Sequence, residues 1–403
     1  MALGTVAVVG ASLAGLRAVE TLRRDGFGGR LVLIGAEPHL PYDRPPLSKQ
    51  LLAGEVEPDD IALRRAPYEE LGVELVLGRR ATGLDLAARA VALDGGERVP
   101  FDGVVLATGS APRTLRDTPD LDGLFVLRTL DDALAIRARL DEGPRVVVVG
   151  AGFIGSEVAA TCRLRGLDVT VLKALPAPLV RGLGPKLGAV CGELHRDHGV
   201  DLRLGVGVAG FDGDARVERV RLDDGTAVEA DLVVVGVGVG PVTDWLADSG
   251  LTIDNGVVCD ETLLAAPGVV AAGDVARWPN PLFGGESMRL EHWTNASDSG
   301  VAAARRLLCG ERAEPEPFAP VPFVWSDQYD RKIQTAGHFT GDDEMRVVHG
   351  SLEERRFVAV FGRGARLVGV LGFSMPAKVM QYRRMIAEQA SFEGALAHAS
   401  AAA

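Results

Sequence analysis

Two glycine clusters carry the first chemistry legible in this chain. Gly10, Ser12 and Gly15 follow an apolar β-branched run, Thr5 to Val9, and open an amphipathic stretch. Gly150, Gly152 and Gly155 follow the valines at 146–149 and open a second one. Glycines at this spacing, at a strand-to-helix turn, suit a dinucleotide pyrophosphate. The first makes the tight turn, the second lets the backbone approach the phosphates, and the third lets helix and strand pack closely. The N–H groups at the helix start then bind the anion. The second cluster is complete; the first has Ser12 at its middle position, the smallest substitute that carries a Cβ. Glu37, past the next apolar run, is placed to accept hydrogen bonds from an adenosine ribose. Lys173 stands at the matching place in the second unit, and Arg181 lies eight residues on. A carboxylate there repels a ribose 2′-phosphate and a cation attracts one. These residues predict that NADPH is used or tolerated.

The elements that must position these groups repeat. Residues 5–37 and 145–174 each read as an apolar run, a glycine turn, an amphipathic helix and a second apolar run. That is a βαβ unit for a buried parallel sheet, and two of them predict two nucleotide-binding domains. Each is followed by a strand-rich stretch, ending near 101–113 and 230–241. In the first of these ends, Thr108 and Gly109 form a small-residue turn suited to a close pass by a cofactor. Farther on, Asp274 follows a short strand and a glycine, where a carboxylate of an FAD enzyme can bond a ribityl hydroxyl. A helix is expected over 297–308, a proline-rich linker over 314–323, then alternating strands, a helix over 377–389 and a frayed terminus.

Composition narrows the function. The chain has 403 residues and a formal net charge of −12, with 47% hydrophobic residues. That charge disfavours nucleic-acid partners, which need clustered cations. Only five of the 43 basic residues are lysine, so any basic surface is an arginine surface. No signal peptide and no apolar run long enough for a membrane helix is read, which predicts a cytoplasmic protein with no membrane partner. The four cysteines are far apart and read as structural thiols. Cys191, His195 and His198 could share a helix face, but no metal site is expected from them.

Several longer stretches resemble one family: PYDRPPLSK (41–49), VLATGSAPR (105–113), LRTLDDA (127–133), GFIGSEVAA (152–160), AAGDVAR (271–277), EHWTNA (291–296) and WSDQYDRKIQTAG (325–337). The chain is similar, over nearly its whole length, to the ferredoxin reductases of oxygenase systems, which have a glutathione-reductase-like fold. The resemblance implies an α/β fold of two Rossmann-type domains plus a C-terminal α+β domain. It implies FAD binding by 1–112 and 245–318, NAD(P)H binding by 113–244, and a C-terminal domain at 319–403. It implies FAD contacts at Gly10, Ala14, Gly15, Glu37, Arg44, Lys49, Ala81, Arg128, Asp274 and Trp293, with Trp325 near the flavin; the turns read above add Ser12, Thr108 and Gly109. It implies NAD(P)H contacts at Gly152, Phe153, Ile154, Gly155, Glu157 and Gly238, to which the fingerprint itself adds Gly150 and the charge pattern adds Lys173 and Arg181. Lys49 would stabilise reduced flavin, and Glu157 would position the nicotinamide or pair with Lys49; hydride transfer needs no side-chain acid or base.

The implied reaction passes hydride from NADH or NADPH to FAD, then single electrons to a [2Fe–2S] ferredoxin serving a cytochrome P450 or a ring-hydroxylating dioxygenase. The enzyme would be a monomer or weak homodimer. Lys173 departs from the acidic residue usual in these mostly NADH-dependent proteins. Other readings of the same fold are a rubredoxin or nitrite reductase component, or a redox interaction protein like apoptosis-inducing factor. A disulfide reductase would need a redox cysteine near 40–49, and none precedes Cys162. Arg305, Arg306, Arg331, Arg383 and Arg384 are candidates for a patch that meets an acidic ferredoxin.

Overall fold

In the computed structural model, which describes residues 3–310 and 314–401 apart from the side chain of Arg181, the run Thr5–Val9 is a strand buried on both sides. It pairs in parallel with Arg30–Gly35 and Gly103–Leu106. Val73–Leu77 and Val269–Ala271 extend this sheet in parallel, and Leu264–Ala266 closes one edge antiparallel. Helix Leu13–Arg24 leaves the central strand and packs beside helix Trp293–Cys309. The same plan recurs. Val146–Val149 pairs in parallel with Val169–Lys173 and Leu232–Val235, flanked by Asp201–Leu204 and Leu124–Val126. Each parallel sheet is accompanied by a three-stranded antiparallel sheet, 81–100 in the first case and 208–229 in the second. The near-continuous Val, Leu and Ile content of the central strands is what burial on both faces demands.

The chain forms two compact units. One contains the residues up to 43, 62–111 and 240–323; the other contains 44–61, 112–239 and the residues from 324 onward. Residues 44–61 were expected with the first domain, yet they pack with the second unit. Leu51 and Leu52 are fully buried, the short helix Gln50–Ala53 lies against helices Leu130–Leu140 and Phe153–Leu164, and Arg137 pairs with Glu57 at 2.8 Å. The C-terminal part is a five-stranded sheet in the order Phe323–Gln328, Arg331–Gly337, Arg366–Phe373, Arg356–Arg363, Glu344–Ser351. Its apolar face shares a core with helix Val180–Asp197: Leu183, Leu187 and Cys191 meet Ile333, Phe357 and Phe373.

Three expectations need correction. The helix placed at 297–308 begins four residues earlier, at Trp293, after the extended His292, because buried Asn295 and Ser299 continue its inward face. The terminus expected to fray is helix Phe392–Ala401, which buries Phe392, Ala395 and Ala399 along one stripe; residues 402–403 lie outside the described residues. The proline-rich segment is strapped to the first unit. Phe318 is buried, its N–H donates to Glu261 O, Trp278 Nε1 donates to Phe318 O at 3.0 Å, and Asn280 Nδ2 donates to Pro320 O at 3.0 Å.

The two glycine turns show the same geometry. Gly10 has φ +120°, and a Cβ there would lie 2.0 Å from Ala107 O; Gly150 has φ +109°, and its Cβ would lie 2.2 Å from Gly236 O. A Cβ on Gly15 or Gly155 would lie about 2 Å from the carbonyl oxygen of the first glycine of its own turn. The middle positions differ in kind. Ser12 (φ −124°, ψ −160°) and Gly152 (φ −81°, ψ −175°) are both extended, so Ser12 carries no backbone strain. Gly10→Ala and Gly150→Ala should each destabilise by about 2–4 kcal/mol, because contact and φ both oppose a side chain. Ser12→Gly should change stability by under about 1 kcal/mol; urea unfolding of the flavin-free protein checks all three.

A buried histidine gives this fold a pH dependence. His195 is fully buried on helix Val180–Asp197, its Nδ1 lies 2.8 Å from Tyr329 Oη, and Nε2 has no partner among the described residues. Burial first, then the nearby His198, pushes its pKa down to about 4. The unfolded chain therefore takes up a proton below about pH 6.5 that the folded chain refuses until about pH 4. Stability should fall as pH drops through that window, by up to about 1.4 kcal/mol per pH unit from this group. Unfolding midpoints of His195→Gln plotted against pH should show a flatter slope than wild type over the same range.

Candidate functional site

The first unit gathers most of the residues expected at a flavin dinucleotide. Gly10, Ser12, Ala14 and Gly15 form the turn and opening of helix Leu13–Arg24. Glu37 lies two residues past strand Arg30–Gly35, and Tyr42 Oη donates to its Oε2. Thr108 and Gly109 follow strand Gly103–Leu106; Thr108 Oγ1 donates to Val242 O at 2.8 Å, and Val242 N donates to Gly109 O at 3.0 Å. Asp274 sits in the turn Gly273–Val275 that ends strand Val269–Ala271, where Ser110 Oγ donates to its Oδ2 at 2.7 Å. Gly273 N donates to Ser299 Oγ, and a Cβ on Gly273 would meet Ala14 Cβ at 3.1 Å. Asp274 thus stands next to the first glycine turn. Trp293 opens its helix, and its Nε1 donates to Asp43 Oδ1 at 2.6 Å. Ala81 begins strand Ala81–Asp85 and is half-buried.

The second unit builds two constellations. The first is the complete fingerprint. Gly152 ends in open space, since a Cβ there would meet nothing within 4 Å. Phe153, Ile154 and Gly155 are the first residues of helix Phe153–Leu164, whose first intrahelical bond runs from Ser156 N to Gly152 O. Their three N–H groups precede that bond and point out of the helix end, as anion binding requires. Ile154 is 41% exposed. Gly238, with φ +114°, has open space where a Cβ would be, and its carbonyl accepts from Arg113 N. Lys173 is the last residue of strand Val169–Lys173, half-buried. Arg181 lies in helix Val180–Asp197, and its side chain is outside the described residues.

The second constellation centres on Glu157, which is 5% exposed. Lys49 Nζ donates to Oε2 at 3.0 Å and Ser48 Oγ to the same oxygen at 2.5 Å; Ser326 Oγ donates to Oε1 at 2.7 Å. Thr161, one turn along the same helix, donates to Ser48 O at 2.8 Å and so holds the 45–49 segment against it. A buried carboxylate needs this density of donors. Arg44 Nη1 donates to Arg128 O at 2.6 Å, and Arg128 N donates to Asp132 Oδ2 beside the capping box at Thr129. Trp325 lies on strand Phe323–Gln328, half-buried, on the face opposite Ser326.

Residue types alone had not singled out Ser48, Ser326, Tyr42 or Ser110. Each neighbours a residue or motif that had been singled out, and a serine gives no sign in sequence of the partner it will meet. The five arginines proposed as a patch are divided: Arg305 and Arg306 belong to the first unit, and Arg331, Arg383 and Arg384 to the second. Arg305 pairs with Asp25, Arg306 donates to Thr262, and Arg384 pairs with Glu388.

Thiol chemistry has little support. Burial pushes Cys162, Cys191 and Cys259 up to about 12, which leaves them protonated and poor nucleophiles. Among the described residues no three His, Cys, Asp or Glu side chains are grouped to hold a metal, and no helix is long and apolar enough to cross a membrane.

Comparison with known proteins fits this geometry. Residues 4–300 match the family model described as pyridine nucleotide-disulphide oxidoreductase, and residues 323–402 match the one described as reductase C-terminal. The chain is 37% identical to the ferredoxin reductase component of chlorobenzene dioxygenase from Cupriavidus sp., covering 97% of this chain and 94% of that one. It is 36% identical to rhodocoxin reductase from Rhodococcus erythropolis, over 96% and 90% of the two chains. Among solved structures, putidaredoxin reductase in its covalent complex with putidaredoxin superposes with a TM-score of 0.91 at 33% identity, over 96% of this chain and 93% of that one. With both dinucleotide turns, the C-terminal sheet and nearly the full length matched, the chain belongs to the pyridine nucleotide-disulphide oxidoreductases, in the group formed by the ferredoxin reductases of oxygenase systems.

Proposed function

We infer that this protein is an NAD(P)H:ferredoxin oxidoreductase that holds FAD and supplies single electrons to a [2Fe–2S] ferredoxin of an oxygenase system. The duplicated glycine turn is the observation that carries the reading: one chain offers two backbone cradles for two different dinucleotides. The residues suit FAD in the first unit. The turn at Gly10 admits no side chain, and Asp274 and Glu37 offer carboxylates to hydroxyl groups. We assign FAD binding to 1–112 and 245–318, apart from 44–61, which pack with the second unit, NAD(P)H binding to 113–244, and the C-terminal α+β domain to 319–403.

When bound, FAD supplies the conversion between a two-electron hydride donor and a one-electron acceptor. The chain supplies position. Helix Leu13–Arg24 directs its first N–H groups at one pyrophosphate and helix Phe153–Leu164 directs its own at the other. Glu37 accepts from the adenosine ribose while Tyr42 holds it in place. Asp274, oriented by Ser110, accepts from a ribityl hydroxyl. Lys49 and Glu157 hold each other at 3.0 Å; by the family resemblance Lys49 would supply a positive charge for reduced flavin and Glu157 would orient the nicotinamide. A disulfide reductase is disfavoured: no cysteine lies in 40–49, and Cys162, Cys191 and Cys259 are buried and protonated.

Lys173 points to use of NADPH alongside NADH. It ends the strand after the second fingerprint, where a dinucleotide-binding fold presents a charge to the adenosine ribose. Anaerobic titration of the visible flavin band should show bleaching by both NADH and NADPH. A preparation that holds no flavin and takes none up would sink the reading. For Lys173→Glu, kcat/KM with NADPH should fall about 10–100-fold while the value for NADH holds, the size expected when one charge-assisted contact is replaced by repulsion. A strong NADH preference left unchanged by that substitution would remove Lys173 from the specificity argument.

A further inference from the structure

The carboxylate of Glu157 is held from two sides, and only one of them involves the lysine. On one side Lys49 and Ser48 both donate to Oε2. On the other, the described residues offer Oε1 a single donor, the hydroxyl of Ser326 at 2.7 Å. Ser326 is fully buried on strand Phe323–Gln328, two residues before Gln328, which shares its face and is also fully buried. Gln328 Nε2 donates to Ser326 Oγ at 3.2 Å. A hydroxyl has one proton to give; Ser326 accepts from Gln328 on one lone pair and gives that proton to Glu157. The three side chains form a one-way relay from the C-terminal sheet to the helix that opens at Gly152.

We propose that Ser326, backed by Gln328, is a positioning residue for hydride transfer: it fixes the rotation of the Glu157 carboxylate, and through it the place of Lys49. This rests on the oxidoreductase reading above. Without the Ser326 hydroxyl, Oε1 is a buried acceptor with no donor among the described residues. The carboxylate then turns to share the donors on its other side, and Lys49 moves with it. Glu157 lies on the first turns of the fingerprint helix, so a small rotation displaces a group that must be aligned with the reacting ring. Misplacement of about 1 Å near a reacting centre is enough to cost rate without costing binding.

The test uses the full-length, FAD-loaded protein. Stopped-flow reduction of the flavin is measured against NADH and NADPH concentration for wild type, Ser326→Ala and Ser326→Thr. Ser326→Ala should lower the limiting rate constant about tenfold, the equivalent of one lost hydrogen bond. The dissociation constant of the dinucleotide should stay within about twofold, and Ser326→Thr, which keeps the hydroxyl, should recover most of the rate. Urea unfolding supplies a readout apart from turnover: Ser326→Ala should lower the midpoint more in the wild-type background than once Glu157 is Ala, where only the contact with Gln328 is left to lose. A Ser326→Ala enzyme that keeps pace with a reducible wild type overturns the proposal, as does simple additivity of the two substitutions in unfolding. Wild-type flavin that neither dinucleotide reduces overturns the underlying oxidoreductase reading, an outcome separate from failure of the relay alone.

Discussion

Everything that positions chemistry in this protein depends on two places where backbone meets backbone with no room for a side chain. At Gly10 against Ala107 O, and at Gly150 against Gly236 O, a Cβ would fall within about 2 Å of an oxygen. That closeness lets each helix start flush with the end of its sheet. The helix N–H groups can then face a pyrophosphate at short range. The buried β-branched strands on either side supply the rigidity that keeps the approach from relaxing. The same frame places the acidic groups: Glu37 follows strand Arg30–Gly35 and Asp274 follows strand Val269–Ala271.

Much of the frame was legible in the residues. Glycine spacing and valine-rich runs gave both βαβ units, because those patterns follow from close backbone packing and two-sided burial. The alternating C-terminal strands were legible for a similar reason. Other features were not. The helix Phe392–Ala401 has alanine at every second position from 395 to 401, and their weak hydrophobic contrast hides the buried stripe of Phe392, Ala395 and Ala399. The early start at Trp293 was masked by polar Thr294 and Asn295, the latter buried. The packing of 44–61 with the second unit depends on tertiary contacts of Leu51, Leu52 and Ser48 that no local pattern encodes.

The site divides along the same line. Fingerprint glycines, Asp274 and Lys173 are readable because their spacing or charge is of a kind that a dinucleotide site uses. Resemblance to a family supplied Lys49, Glu157, Arg44 and Trp293. Neither route found the serines. Ser48, Ser110 and Ser326 act by giving one proton to one carboxylate oxygen, and that role exists only once distant segments meet. The ion pair of Lys49 and Glu157 would be a poor structural device alone, since burying two charges costs more than a single contact returns. The hydroxyls around it complete the solvation that water would otherwise provide.

The extended backbone at Ser12 and Gly152 has an evolutionary consequence. The outer glycines of both turns are fixed by sterics, so almost any change there is purged. The middle residues are held by no such conflict: both conformations are open to L-amino acids other than proline, and at 152 the neighbouring space is empty. Drift is therefore allowed there up to the limit set by whatever sits in the cradle. Within one chain, two copies of the same turn can diverge at that single position while everything around it stays still. The serine in one copy and the glycine in the other fit that freedom.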